Sequence, residues 1–242
     1  MKSACVFFVI LTLSSGSKLP EYLTKCSKSD PKLSECLLSS VKQAWPTIIK
    51  GDNSYHIAPL NPLKITAMHV VVGDNQLVGA VYNALFHGLE NAKFKEIKWD
   101  LTKKRIDMKF LLPTSYLTGD YTVTGRIIGL PLEGNGTEKV TFENMDNAHS
   151  MVYGTIEKDG KEYIEIKKTQ MSYTTSRLSL DIRNLFNGNL ILGKAMNEVL
   201  NENWSAVNME LNPYLGNAIG EIYSQIIQEF FNKVPINDML SN

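Results

Sequence analysis

Residues 212–235 of this chain have the sequence NPYLGNAIGEIYSQIIQEFFNKVP, and this stretch decides the fold. Its large apolar residues recur every three or four positions, which is the spacing of one face of an α-helix. That face consists of Leu215, Ile219, Ile222, Ile226 and Phe230, and a second flank consists of Tyr223, Ile227 and Phe231. A helix that is apolar on more than one side needs to be enclosed by the rest of the fold. We therefore predict a long helix that starts at Asn212-Pro213, stops at Pro235 and is wrapped by other elements.

The preceding segment, residues 55–182, has a dominant period of two, in which apolar and polar residues alternate. This alternation is typical of antiparallel strands with one buried face. It indicates one hairpin at the sequence TKKR, residues 102–105, and a second at Asp159-Gly160. The sequence RLSLDI, residues 177–182, predicts a further strand. Only LVGAVYNALFHGL, residues 77–89, departs from the pattern, and it predicts either a short helix or an irregular strand.

Two more helices are predicted on either side of the strands. Asp30 is suited to cap the first one and Pro31 to begin it, while Pro46 and Gly51 limit its C-terminal end. Its apolar face consists of Leu33, Cys36, Leu37, Val41 and Ala44. The second helix follows Asn187. Its apolar face consists of Leu192, Ala195, Met196, Val199 and Leu200.

These elements together predict an α+β fold. Glycines inside the strand region, Gly119, Gly125 and Gly129, indicate bends or bulges and hence a strongly curved sheet. We expect this curved antiparallel β-sheet to wrap around the long C-terminal α-helix, with an internal apolar cavity where the two do not fill the space between them. No linker composition divides the chain, so residues 18–242 are expected to form a single domain.

The sequence GNLILGKA, residues 188–195, is one letter away from a phosphate-binding loop. Such a loop needs Ser or Thr after its Lys to hold Mg²⁺, and here that position is Ala195. We therefore interpret the stretch as the start of the second helix. On this interpretation Leu190 and Leu192 begin its apolar face, Gly193 packs closely against the sheet and Lys194 points to solvent.

The N-terminal sequence MKSACVFFVILTLSSGS, residues 1–17, has the basic start, short apolar core and small-residue end of a secretory signal peptide. We expect cleavage there and a secreted, extracellular protein that has no stable membrane insertion. Cys26 and Cys36 remain in the mature chain, either as one disulfide in that oxidising compartment or as two buried thiols. Two acceptor sequons suggest glycosylation, at Asn135 in a predicted loop and at Asn203 in a helical pattern that accommodates a glycan less easily.

The composition argues against several classes of function. Lys and Arg total 25 and Asp and Glu total 25, so there is no net basic charge of the kind that nucleic-acid binding requires. The four histidines, His56, His69, His87 and His149, do not have the spacing of a metal site, and no nucleophile-elbow motif is present. We therefore predict no catalytic residues, no metal and no cofactor.

Several motifs together resemble the insect takeout and haemolymph juvenile hormone-binding proteins. They are LPEYLTKCSKSDPKLSECL, LNPLKI, GDYTVTGRIIGLPLEGNG, NLFNGNLILGKAMNEVLNENW and FFNKVPINDML, in the family's order from Leu19 to Leu240. The resemblance implies the wrapped-helix super-roll, similar to one half of a bactericidal/permeability-increasing protein. It also implies a Cys26–Cys36 disulfide. This chain has no cysteines for the second disulfide of the moth haemolymph proteins, so it is more similar to the takeout branch.

The resemblance further implies a non-enzymatic carrier, which we expect to be a monomer in haemolymph or another extracellular fluid. Its partner would be a small hydrophobic ligand, such as a juvenile hormone-like terpenoid, a fatty acid or another lipid. Inward strand positions and the C-terminal helix supply the residues predicted to line the cavity, and the hydroxyls of Tyr121 and Tyr223 are suited to contact an ester or epoxide. These predicted ligand-binding residues are Trp99, Phe110, Tyr121, Ile127, Phe142, Met196, Trp204, Ile219, Tyr223 and Phe230.

Two alternatives compete with the carrier. The first is a secreted lipid-surface or antimicrobial interaction module without a dedicated small ligand, for which the basic hairpin around Lys103, Lys104 and Arg105 is the candidate contact. The second is a hydrolase of lipid esters, which the missing nucleophile motif disfavours.

Overall fold

A strongly curved antiparallel sheet is built around one long β-hairpin. The structure is a computed structural model that describes residues 18–242, and the predicted signal peptide lies outside the described residues. Within that range the sheet has seven strands, β2 to β8. Their bounds are β2 Leu63–Val72, β3 Leu77–His87, β4 Lys93–Asp100, β5 Arg105–Ile127, β6 Leu130–Lys158, β7 Lys161–Thr174 and β8 Arg177–Ile182. A separate parallel pair joins β1, Cys26–Ser27, to β9, Leu240–Ser241.

The long strands β5 and β6 pair with each other from Arg105↔Val152 to Ile127↔Leu130. Each is long enough to pair with two shorter strands on its outer edge. β5 pairs with β4 near its start and with β3 near its end, and β6 pairs with β8 and then β7. The predicted turns after β4 and at Asp159-Gly160 are both present. Residues 77–87 form the irregular strand β3, with a register shift between Tyr82 and Leu85, rather than a helix.

Glycine makes the curvature possible at two strand positions. A side chain at Gly119 would lie 2.9 Å from the carbonyl oxygen of Tyr82, so the neighbouring strand can approach only because none is present. Gly125 has a φ of 132°, which other residues rarely adopt. The third predicted bend was placed wrongly, because Gly129 lies in the turn between β5 and β6 and not inside a strand.

The C-terminal helix α3 extends from Trp204 to Phe231 and lies inside the curve of the sheet. The prediction that it begins at Asn212-Pro213 was wrong. The Asn212 side chain does not cap a helix; its amide donates to the carbonyl of Tyr173 on β7 at 2.6 Å. Pro213 costs the helix one hydrogen bond. The turns before it are held in place by Glu210, whose carboxylate accepts from the backbone N–H of Ile128 at 2.8 Å.

The first helix, α1, extends from Leu33 to Ile48. It begins later than predicted, because Asp30 accepts from the backbone N–H of Lys32 and forms a turn ahead of the helix. Pro46 lies inside α1 and does not end it. Cys26 and Cys36 form a disulfide with a Cα–Cα distance of 6.0 Å, which fastens β1 to the first turns of α1.

Two short helices complete the fold. α2 spans Leu190–Glu202, and its N-cap is Asn189, whose side chain accepts from the backbone N–H of Leu192 at 3.1 Å. α4 spans Ile236–Met239 and leads into β9. No helix within residues 18–242 combines the length and the apolar character that crossing a membrane requires.

The apolar face predicted for the start of α2 was wrong. The side chains of Leu190, Ile191 and Leu192 are 86%, 83% and 52% exposed. The helix buries its later residues instead, with Leu200 packed in the core. Gly193 does not permit an unusually close approach, since a side chain there would meet Leu185 at an ordinary 3.8 Å. Lys194 is exposed, as predicted.

Candidate ligand-binding site

Two apolar cavities lie between α3 and the elements that surround it. The first, which we call cavity A, has a volume of about 150 Å³ and is enclosed by α3 and strands β2, β3, β5, β6 and β8. The second, cavity B, has a volume of about 230 Å³ and is enclosed by α3, α1, β4 and the first half of β5. Cavity B is lined by Val41, Trp45 and Ile48 from α1. Both cavities therefore lie along α3, between the helix and the elements that surround it.

Tyr223 of α3 lines both cavities and stands between them. Its ring is half-buried and lies 6.1 Å from the ring of Phe110, centroid to centroid. No residue in the described range forms a hydrogen bond with its hydroxyl, and burial raises the pKa of that hydroxyl well above its ordinary value. The hydroxyl is therefore a neutral donor and acceptor that is available to a ligand.

Tyr121 of β5 differs from Tyr223, because its hydroxyl already has a partner. It donates to the backbone carbonyl of Arg183 at 2.8 Å. Burial, with a smaller contribution from the charge of Glu138, raises the pKa of Tyr121 to about 12. The ring lines cavity A, but the hydroxyl proton predicted for an ester or epoxide is engaged in holding the chain after β8.

Glu138 of β6 is the acidic group of cavity A, and it is not among the residues predicted from the sequence to bind ligand. Val140 and Phe142, which lie on the same face of β6 as Glu138, also line the cavity. The alternation of side chains along the strand therefore places Glu138 on the inner face. Burial raises the pKa of the Glu138 carboxyl to about 7. Within residues 18–242, no group forms a hydrogen bond or an ion pair with the Glu138 carboxyl. The free energy that removing its charge from water costs is therefore not offset.

The predicted ligand-binding residues fall into three groups. Tyr121, Ile127, Phe142 and Ile219 line cavity A, Phe110 and Phe230 line cavity B, and Tyr223 lines both. Within the described residues, Trp99, Met196 and Trp204 are not part of either lining. These three pack elsewhere in the fold, and we do not retain them as ligand contacts.

Trp99 donates its indole N–H to the hydroxyl of Tyr153 at 2.8 Å, in a second core cluster near the chain termini. Trp204 packs at the main core's edge, with the guanidinium of Arg177 5.7 Å from its ring centroid. Met196 packs against the same core from α2. Their apolar character is therefore used for packing between elements, which is the common role of such residues.

A buried polar cluster fastens α3 to the sheet beside Tyr223. The Nε2 atom of His149 lies 2.6 Å from the hydroxyl of Thr169 and 3.1 Å from that of Ser224, while its Nδ1 has no partner in the described residues. Burial lowers the pKa of His149 to about 4, so the ring is neutral at physiological pH. Across residues 18–242, no three His, Cys, Asp or Glu side chains are grouped as a metal site.

The two sequons occupy different surroundings from those expected. Asn135 is exposed but lies on strand β6, not in a loop, and its side-chain oxygen is 3.3 Å from the amide of Asn184. Asn203 is exposed between α2 and α3, and its side-chain amide donates to the carbonyl of Val199 at 2.8 Å. Glycosylation at either position stays a prediction.

Comparison with known proteins gives one consistent result. Residues 4–241 match the family model described as haemolymph juvenile hormone binding protein. The chain is 23% identical to the circadian clock-controlled protein daywake of Drosophila melanogaster, over 96% of this chain and 92% of that protein. It is 20% identical to daywake of Drosophila yakuba, over 93% and 90%. The crystal structure of Takeout 1 from Epiphyas postvittana superposes with a TM-score of 0.75 at 29% identity, covering 90% of this chain and 99% of that one.

Proposed function

The chain belongs to the haemolymph juvenile hormone binding protein family, and on this premise we propose that it is a carrier of a small hydrophobic ligand. The observation that supports the proposal most is the pair of apolar cavities that meet at Tyr223 along α3. An elongated terpenoid or fatty acyl ligand would lie along the helix and bury its chain in both. Apolar burial contributes about 25 cal/mol per Å², so micromolar affinity needs few polar contacts.

We further propose that the protein is secreted, on the basis of residues 1–17, and that it functions as a monomer without catalysis. A carrier in an extracellular fluid protects an insoluble ligand from water, which requires enclosure and not a reactive group. The intact mass of protein recovered from the medium of expressing cells tests removal of residues 1–17 and glycosylation at Asn135 and Asn203.

The lipid-surface alternative is favoured by one specific observation, the exposed residues Leu190, Ile191 and Leu192. Three adjacent exposed apolar side chains at a helix start can enter a lipid interface. The basic hairpin gives this alternative less support, because Lys103 is paired with Asp100 at 3.8 Å and Arg105 with Asp107 at 2.8 Å.

Cavity-filling substitutions separate the two functions. Replacing Ile219→Trp fills cavity A and Ile226→Trp fills cavity B, since these residues line them from the same helix. We expect each single variant to weaken the binding of a fluorescent apolar probe, and the double variant to weaken it at least about tenfold. Probe titration by fluorescence measures this, with thermal unfolding to verify that each variant is folded.

The matched control is the triple variant Leu190→Gln, Ile191→Gln and Leu192→Gln, which leaves both cavities intact. A carrier keeps its probe affinity in this control. If the triple variant loses the probe and the cavity-filled double variant retains it, the protein is a surface-binding module and the carrier proposal is wrong.

A further inference from the structure

The ionisable side chain of Glu138 faces cavity A, whose lining is almost entirely apolar. Glu138 lies directly opposite Gly119 in the β5–β6 register, so β5 places no side chain over it, while its partner on β8 is Ile182, which also lines cavity A. Besides lining cavity A, Glu138 lines a polar depression of about 370 Å³ on the sheet, together with Asn83, Asp120 and Lys139. The carboxyl therefore stands where the apolar cavity meets a polar surface.

The charged groups around this depression contact other residues and not Glu138. Lys139, the next residue on β6, lies over the ring of Tyr116, 4.7 Å from its centroid. Arg183 pairs with Asp181 at 3.3 Å, and Asp120 accepts from the amide of Asn83 at 3.0 Å. On the cavity side, Tyr121 of β5 and Tyr223 of α3 are the titratable neighbours in the lining, and neither is a cation.

Glu138 is half-buried, and a carboxylate that is partly removed from water without a protein partner costs free energy that a complementary ligand group can recover. We propose that Glu138 selects the ligand's head group, favouring apolar molecules that end in a hydroxyl or another hydrogen-bond donor over those that end in a carboxylate. A hydroxyl donates to ionised Glu138. A ligand carboxylate is repelled by it, because two like charges close together at the boundary of an apolar cavity disfavour each other.

This proposal rests on the carrier function and adds to it the chemical class of the ligand. It also gives binding a pH dependence of definite sign. At about pH 6 the Glu138 carboxyl is largely neutral and at about pH 8.5 it is largely ionised, given its raised pKa of about 7. A fatty acid carries its charge throughout this range. Its affinity therefore falls as the pH rises, while the affinity of the matching alcohol does not.

Displacement of a fluorescent apolar probe by dodecanol and by dodecanoic acid tests the proposal, using delipidated protein at about pH 6 and about pH 8.5. For the wild-type protein we expect dodecanoate to lose about tenfold in affinity across this range, which corresponds to one unit of pKa. In Glu138→Gln the side chain cannot ionise, so the loss should disappear. The control Glu133→Gln removes an exposed carboxylate from the same strand and should behave as the wild type.

The outcomes distinguish a failure of the proposed role of Glu138 from a failure of the carrier function. If the wild type binds the probe but dodecanol and dodecanoate respond to pH equally, or if Glu138→Gln keeps the wild-type response, the role of Glu138 is wrong and the carrier function stands. If the wild type binds no probe at all, both are wrong. Circular dichroism of the two Gln variants verifies that they retain the fold.

Discussion

The variant Gly216→Val is expected to lower the free energy of unfolding by about 3 kcal/mol. A side chain on Gly216 would lie 2.8 Å from the backbone carbonyl oxygen of Met171 on β7, which cannot rotate away as a side-chain tip can. Gly220, one turn later, would meet the Met171 side chain at 2.7 Å. Valine at 216 therefore forces α3 away from β7, and the displaced helix loses packing along the core.

Gly193→Val is the matched control for this prediction. Gly193 also lies in a helix, but a side chain there meets Leu185 at 3.8 Å, which is ordinary contact. We expect its stability to stay within about 0.5 kcal/mol of the wild type. Chemical denaturation of both variants measures the difference. Equal stabilities would show that α3 does not approach β7 as closely as the structure has it.

His149 is expected to destabilise the protein as the pH falls from about 6.5 to about 4. The ring has a pKa of about 4 in the folded protein and an ordinary value of 6.5 when exposed. Within this window the unfolded chain binds a proton that the folded chain does not, so acid favours unfolding. Each pKa unit is worth about 1.36 kcal/mol, which gives a loss of about 3 kcal/mol near pH 4.

Glu138 changes the free energy of unfolding with pH in the opposite direction. The pH dependence of the wild-type protein alone therefore does not isolate the contribution of His149. The Glu138 carboxyl has a raised pKa of about 7 in the folded protein, and its contribution falls as the pH rises through that value. The comparison is therefore between wild type and His149→Gln, by urea denaturation across the pH range. We expect the variant to lack the acid-side loss. If both proteins lose stability in parallel between pH 6.5 and 4, His149 is not the group responsible.

Local sequence patterns predicted most of the strands and helices, because the spacing of apolar residues within an element does not depend on the elements it contacts. The period of two in residues 55–182 predicted antiparallel strands without knowledge of their partners, although the segment around Asn135, predicted as a loop, belongs to strand β6. The two-sided apolar pattern of residues 215–231 likewise predicted that α3 is enclosed, and the curved sheet around it confirms this fold class.

Features that depend on distant contacts were not predictable in the same way. Asn212-Pro213 has the sequence of a helix start, yet the helix continues through it, with Glu210 bonded to the β5–β6 turn and Asn212 bonded to β7. Leu190 and Leu192 fit a helical face that no surface within residues 18–242 covers. The wall that α1 contributes to cavity B depends on where α1 packs, which its own sequence does not specify.

The site itself was predicted in part. Seven of the residues expected to bind ligand line a cavity, because inward strand parity and the face of α3 are local properties. Trp99, Met196 and Trp204 were predicted from inward strand positions and the C-terminal helices, and a position on an inner face does not distinguish a cavity wall from a packed core. Glu138 was overlooked although its parity with Phe142 placed it on the inner face, since a carboxylate there conflicts with the usual burial of apolar residues.

Native mass spectrometry of the protein purified from insect cells tests the carrier function most directly. We expect the wild type to carry a mass excess that corresponds to a bound apolar molecule, that is released by organic extraction and that is absent from the Ile219→Trp, Ile226→Trp double variant. A wild-type protein that has the mass of the bare polypeptide and its glycans, and that yields no lipid on extraction, would contradict the account.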